Sequence, residues 1–244
     1  GTTEIDFVYS KFTDDTDSVE EETGFDDDDD PPSFDGFEGE RTQSTVDDSE
    51  YLASIAHSFE VFGTTEIEFG LDANWKKRDA GLRVSEAETD VAGQPLPPYE
   101  VKDASSSLIE ERRFDPYVMF TQKGVSYSVE AGLRYEMTDS EVGLDGNVVD
   151  NDYSALLPSL NMQWRVGAND RITTSLAKTV RRPSFNYLSP LYLEGEYGDN
   201  DFIGNPELEQ ETALGLDVGY EHRLGRFGVV GINGFYRSVD SLIE

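Results

Sequence analysis

Between Thr65 and Lys76 apolar and polar residues alternate without a break. Ile67, Phe69, Leu71, Ala73 and Trp75 take the odd positions, and Glu66, Glu68, Gly70, Asp72 and Asn74 the even ones. Successive side chains of a strand point to opposite faces, so one face is wholly apolar and the other polar or glycine; a helix would mix the two sets. The same pattern recurs over Val125–Thr138, Leu156–Val166 and Thr212–Glu221. Shorter versions fall at Ile5–Tyr9, Tyr51–Val61 (with His57 on the apolar face), Phe114–Phe120, Ile172–Lys178 and Val230–Tyr236. The pattern predicts about nine antiparallel strands.

The connections alternate in length. Short turns are predicted at Gly63-Thr64, Lys123-Gly124, Ala168-Asn169-Asp170 and Leu224-Gly225-Arg226. Long loops are predicted over about 13–48, 80–111, 139–152 and 183–207. All short turns therefore lie at one end of the sheet and all long loops at the other. Membrane barrels of the bacterial outer membrane sort their connections this way. A soluble antiparallel sandwich also alternates but has no reason to sort its loops. The predicted strands, about 10–15 residues long, exceed the usual five or six. Aromatics near strand ends on the apolar face, namely Trp75, Tyr135, Tyr153 and Tyr220, fit an interfacial girdle. The expected fold is thus all-β, an antiparallel transmembrane barrel represented by about nine strands.

Composition narrows the partners. Nineteen basic residues stand against 51 acidic ones, a net charge of −32, and cysteine is absent. Such a chain repels phosphates, so no nucleic acid partner is expected. No disulfide scaffold or thiolate metal site can form. No apolar run reaches the length of a transmembrane helix, which leaves barrel strands untouched. The chain opens on Gly1-Thr2-Thr3-Glu4 without a leader pattern, so an exported protein would extend beyond these residues. Acid concentrates over about 13–48, where Arg41 is the single basic residue between Asp14 and Glu50. This stretch is expected to be a disordered, solvated extracellular loop. Its run Asp26, Asp27, Asp28, Asp29 and Asp30 is the only candidate for a divalent cation, and it lacks the ligand spacing and turn glycine of an EF-hand.

Several phrases carry a resemblance. "GLRYEMT" (132–138), "LLPSLNMQWRV" (156–166), "SLAKTVRRPSFNYLSP" (175–190), "GNPELEQETALGLDVGYEHRLG" (204–225) and "FYRSVDSLIE" (235–244) follow one another at strand–loop–strand spacing. In that order they resemble the barrel of TonB-dependent outer-membrane receptors. The resemblance implies a plugged barrel of about 22 strands. Neither the plug, its energy-coupling box nor a terminal aromatic strand is visible, so the expectation is one partial barrel domain over residues 1–244.

The implied function is receptor and transporter: binding of a scarce extracellular solute (siderophore, oligosaccharide or vitamin) and import powered by a TonB-type energy-transducing partner acting through a plug. The implied location is the outer membrane of a Gram-negative type bacterium, with membrane lipid around the barrel. No cofactor and no catalysis are expected. Candidate ligand contacts in the lumen or upper barrel are Arg134, Arg165, Arg181, Arg182 and Asp217, with Glu136 and Glu221 also on the polar face. Arginine can grip a carboxylate or phosphate through two parallel hydrogen bonds. For Arg181-Arg182-Pro183 the competing reading is structural, because proline ends ladder pairing. Gly204-Asn205-Pro206 reads as a turn. The alternative to the whole scheme is a soluble, secreted acidic β-sandwich, either a glycoside hydrolase or an adhesion or binding module. A hydrolase would need two carboxylates at a set separation. No such pair stands out, and His57 and His222 have no nucleophile motif near them.

Overall fold

The computed structural model describes residues 1–26, 33–91, 94–193 and 202–243. Its main element is one nine-stranded antiparallel sheet. In chain order the elements are β1 (Thr2–Asp26), β2 (Ser33–Val61), β3 (Thr65–Thr89), β4 (Glu100–Lys123), β5 (Tyr127–Leu144), β6 (Asn147–Arg165), β7 (Asp170–Arg181), the helical turn α1 (Phe185–Leu188), β8 (Tyr192–Leu193), β9 (Phe202–Ile203), β10 (Glu211–Arg223) and β11 (Val229–Asp240). The sheet order is β1-β2-β3-β4-β5-β6-β7-β10-β11, and β8 and β9 pair separately. Every neighbour in the large sheet is next in sequence apart from the step from β7 to β10, which skips the small pair. The sheet is open: it is a wall of a barrel, not a closed one.

The register places each apolar set on one face. Tyr51 faces Trp75, Ile55 faces Leu71 and Phe59 faces Ile67 across β2 and β3. Leu133 faces Pro158 and Tyr127 faces Trp164 across β5 and β6. Leu216 faces both Leu176 and Tyr236. Within the chain this face is uncovered: Phe69, Trp75, Val118, Tyr135, Trp164 and Tyr220 are all exposed. Among the described residues no second sheet packs on it, as a soluble sandwich would require. An apolar band of this extent on one side of a single sheet is the lipid face of a barrel, and the polar side is the lumen.

The long connections turn out differently from expectation. Of the acidic stretch over about 13–48, residues 13–26 and 33–48 are strand instead of loop, and 27–32 lie outside the described residues. β1 and β2 stay in register from Thr13↔Asp47 to Asp26↔Ser33, with one shift after Gly24. From Lys11 to Asp26 this arm runs roughly 50 Å along the strand beyond the apolar band. Backbone pairing does not depend on side-chain charge, and Arg41 offsets part of the acid through Asp17, at 2.8 and 2.6 Å. β3 and β4 extend likewise, leaving only 90–99 between them. The predicted loop over 139–152 is a two-residue hairpin turn. Asp145 and Gly146 both have positive φ, at 48° and 89°, as a tight turn between twisted strands demands. The short turns, by contrast, fall where the sequence puts them.

One girdle assignment fails. Tyr153 lies opposite Thr138 on the luminal face, not the lipid face. Its hydroxyl donates to the carbonyl of Leu208 at 2.6 Å. Burial, with the carboxylates of Glu209 and Glu111 adding to it, pushes the phenol up from its ordinary value.

Candidate functional site

The luminal face of β3, β4 and β5 carries a charge cluster at the level of the lipid band. Asp72 on β3 lies directly opposite Asp115 on β4. Two carboxylates in that relation repel, and arginines resolve the conflict. Arg113 Nε is 2.8 Å from Asp115 Oδ2. Arg134 Nη1 on β5 is 2.6 Å from Asp72 Oδ2 and 3.7 Å from Asp115 Oδ2. The Arg134 guanidinium also lies over the Tyr117 ring, 4.6 Å from its centroid. Tyr117 covers Gly70, where a side chain would collide with the ring, and its hydroxyl donates to Glu68 at 3.1 Å. Asp115 is 2% exposed, and its Oδ1 accepts no hydrogen bond among the described residues. Intramembrane ionisable groups are costly and mark functional paths by default. Here they form a rigid lattice of paired charges facing the lumen.

Above the cluster the described residues between β7 and β10, 182–193 and 202–210, fold inward. β6 pairs with β7 only from Ser159 to Arg165, so the upper half of β6 is free on that side. The segment fills the gap. Arg182 donates to Thr138 Oγ1 at 3.2 Å and pairs with Glu136. The next residue, Pro183, ends ladder pairing. Helical turn α1 then drops Leu188 onto Ile109 and Val142, and Leu191 onto Ala80 and Leu82. Gly204 closes the fold from the other side: its amide donates to the Ser189 carbonyl at 2.9 Å, and a Cβ there would collide with the carbonyls of Ser189 and Tyr187. Asn151 donates to the Pro206 carbonyl at 2.7 Å. Below α1 lies a cavity of about 540 Å³ whose luminal lining includes Phe12, Glu50, Lys76, Arg78, Arg182 and Phe185.

The predicted contacts are scattered. Arg134 and Arg182 converge on the cluster through Asp115 and Glu136. Arg181 sits at the outer end of β7, 59% exposed and 3.8 Å from Glu211. Asp217 is held on β10 by Arg237, at 2.9 and 2.8 Å, and by Ser175 at 3.2 Å. Arg165 lies at the opposite, short-turn end, where its Nη2 donates to the Val125 carbonyl at 2.5 Å. In the acidic run, Asp27 to Asp30 lie outside the described residues and Asp26 closes the β1 pairing. Among the described residues no group of three or more acidic or histidine side chains is placed to hold a metal ion. Sequence reasoning missed Asp115, Arg113, Tyr117, Arg78 and α1. Alternation alone could have placed Asp115 and Tyr117 on the polar face, but their partners depend on register.

No curated protein matches the chain in sequence. Among solved structures, the RagAB peptide transporter matches with a TM-score of 0.55 at 12% identity, over 97% of this chain and 28% of that one. The copper transporter OprC matches with a TM-score of 0.53 at 11% identity, over 84% of this chain and 34% of that one. The chain thus spans about a third of the length of the barrels it matches, and likeness at this identity is likeness of fold. The barrel wall implied by the resemblance to TonB-dependent receptors is borne out. The family model for the outer membrane protein β-barrel family matches residues 2–243, and the chain belongs to that family.

Proposed function

We propose that this barrel wall belongs to an outer-membrane receptor that captures a scarce solute outside the cell and imports it with energy from a TonB-type partner. The observation that carries the reading is the inward-folded helical turn α1, whose Leu188 sits on Ile109 and Val142 over a charged luminal lattice. A packed cover above a polar cavity narrows entry to the lumen, which suits selective capture. The chemistry is binding and gating, with no bond made or broken. The wall supports small-molecule capture at the outer end, where Arg182, Arg78 and Lys76 line the cavity.

The acidic arms bias the solute. Glu20 faces Glu40, which faces Glu86, and Glu22 faces Glu38, which faces Glu88. These rows of carboxylates repel anionic chelates and favour neutral solutes such as oligosaccharides, or cationic ones. Binding to cells displaying the receptor, measured against oligosaccharides, vitamins and ferric siderophores, tests this; capture of anionic chelates alone would overturn the solute class. A protonophore should abolish uptake while sparing surface binding. Uptake that survives it, or turnover of a chromogenic glycoside, would overturn the receptor reading itself.

A further inference from the structure

In the cavity beneath α1 each luminal cation has a carboxylate of its own, and one carboxylate is left over. On the luminal face of β2, β3 and β4, Glu50 faces Lys76 and Lys76 faces Glu111, and all three border the cavity. One ammonium thus stands between two carboxylates, and Lys76 Nζ turns to Glu50, at 3.5 Å. Arg78 is taken by Asp48 at 2.7 Å, and Arg182 by Glu136. Lys11 and Lys77 stand on the opposite face of the sheet, where they pair with Asp47 and Glu110 at 3.2 and 3.8 Å. Further along the luminal face Arg113 and Arg134 are held by Asp115 and Asp72. The Tyr153 phenol feels the Glu111 carboxylate but donates to the Leu208 carbonyl instead. Glu111 is 7% exposed, and among the described residues no hydrogen bond or ion pair reaches it. A carboxylate buried to this degree without a counter-charge is unfavourable, and a cation that fits beside it offsets the cost.

We propose that this cavity binds an organic ammonium, a small solute with a primary amine on an uncharged body, and that Glu111 is its counter-ion. The inference rests on the receptor reading and narrows its solute class. The match of charge is one to one: a single carboxylate is left over, and a single ammonium answers it. A divalent metal ion would need several oxygen ligands, and among the described residues no group of three or more acidic or histidine side chains is placed to hold one. An anionic solute meets Glu111 as a like charge, and a neutral one leaves it without a partner. The room suits a small organic molecule, since about 540 Å³ lies within the usual range of such pockets. Phe12, Pro183 and Phe185 give the body of the solute apolar wall to lie against. The carboxylate rows of the upper arm raise the local concentration of cations at the outer mouth, on the way to the same cavity.

The test is titration calorimetry on the receptor in phosphatidylcholine nanodiscs, with empty nanodiscs as the blank. Aminopentanol and glucosamine represent two sources of the same chemistry, an aliphatic amine and an amino sugar. Pentanediol and glucose are their neutral counterparts, and hydroxypentanoate is the anionic one. At least one amine should bind, and the tighter of the two names the source. Its neutral counterpart and the anion should bind roughly thirtyfold more weakly or not at all, as should the amine itself to Glu111→Gln, because one partner of a buried charge pair is then missing. Heat-modifiable gel mobility shows whether the variant keeps the barrel; if it does not, the comparison of each amine with its neutral counterpart on the parent decides alone. No binding of either amine by the parent, equal binding of amine and neutral counterpart, or undiminished binding by a folded Glu111→Gln would each overturn the proposal. Protonophore-sensitive uptake of a neutral sugar without amine binding would overturn the amine class and leave the receptor reading standing.

Discussion

Arg78 and Asp48 face each other directly across β3 and β2, and the arginine grips the carboxylate through two hydrogen bonds of 2.7 Å. The pair is partly buried, at 17% and 29% exposure. The same guanidinium lies 5.6 Å from the centroid of Phe185 and donates to Asn186. One side chain thus couples the acidic arm to α1.

Arg78→Ala should free α1 without unfolding the sheet. Charge-assisted hydrogen bonds contribute about 1.5–3 kcal/mol each in favourable settings. Amide exchange of Leu188 and Ser189 should therefore quicken by roughly tenfold, or about 1.4 kcal/mol. Arg78→Lys, which keeps charge but loses the two-point grip, should fall between. Exchange unchanged in both variants would mean the contact is incidental.

Leu188 is the apolar anchor of the same segment. It is 2% exposed, against an Ile109 with no exposure at all. Leu188→Ala removes an anchor worth about 2–5 kcal/mol in a packed core. Because the chain has no cysteine, Ile109→Cys gives a single reporter. The thiol should resist maleimide in the parent background and react readily once Leu188→Ala is added. Resistance in both backgrounds would show that Leu188 does not hold the cover down.

Asp115 balances Arg113 and Arg134 at the level of the membrane. Asp115→Ala leaves both guanidiniums without their shared carboxylate, and breaking one side of a buried pair costs on the order of 3–5 kcal/mol. The temperature of heat-modified gel mobility should fall. Arg113→Met combined with Asp115→Leu should recover most of that loss, since the charge imbalance disappears. A double variant no better than Asp115→Ala would assign the loss to packing.

Two hydrogen bonds from Arg41 hold the Asp17 carboxyl below its ordinary range, with their charge attraction adding to the effect. The folded value is depressed, so the contact favours the folded arm above the unfolded carboxylate range. It is lost as pH falls through the lower folded value. Carbon-detected NMR should place Asp17 below about 3.9 in the parent and return it there in Arg41→Ala. The same midpoint in both proteins would refute the pairing.

The membrane part of this wall is legible from alternation, because lipid on one face and lumen on the other impose a period of two on Ile67–Trp75 and Tyr127–Met137. Above that band the same backbone continues without an apolar face to announce it. Asp14–Glu22 therefore reads as loop although it is strand, whereas over 139–152 the Asp145-Gly146 pair carried a turn signal that could have shortened the predicted loop. The Asp115 cluster was half legible: alternation gives its face, but its partners come from three strands whose register no local pattern fixes. Tyr153 was misplaced because an aromatic near a strand end looks alike on either face.

The carboxylate rows on the upper arm have a consequence for kinetics. Glu20, Glu40 and Glu86 share one face, with Glu22, Glu38 and Glu88 beside them. A solute approaching the outer mouth comes within about 8 Å, the screening distance at physiological salt, of this negative surface. Its arrival rate then carries the sign of its own charge: cations speed up on dilution of the medium, anions slow down, and neutral sugars do not notice. On the proposed receptor function, the arm would sort solutes by ionic strength before any binding pocket is reached.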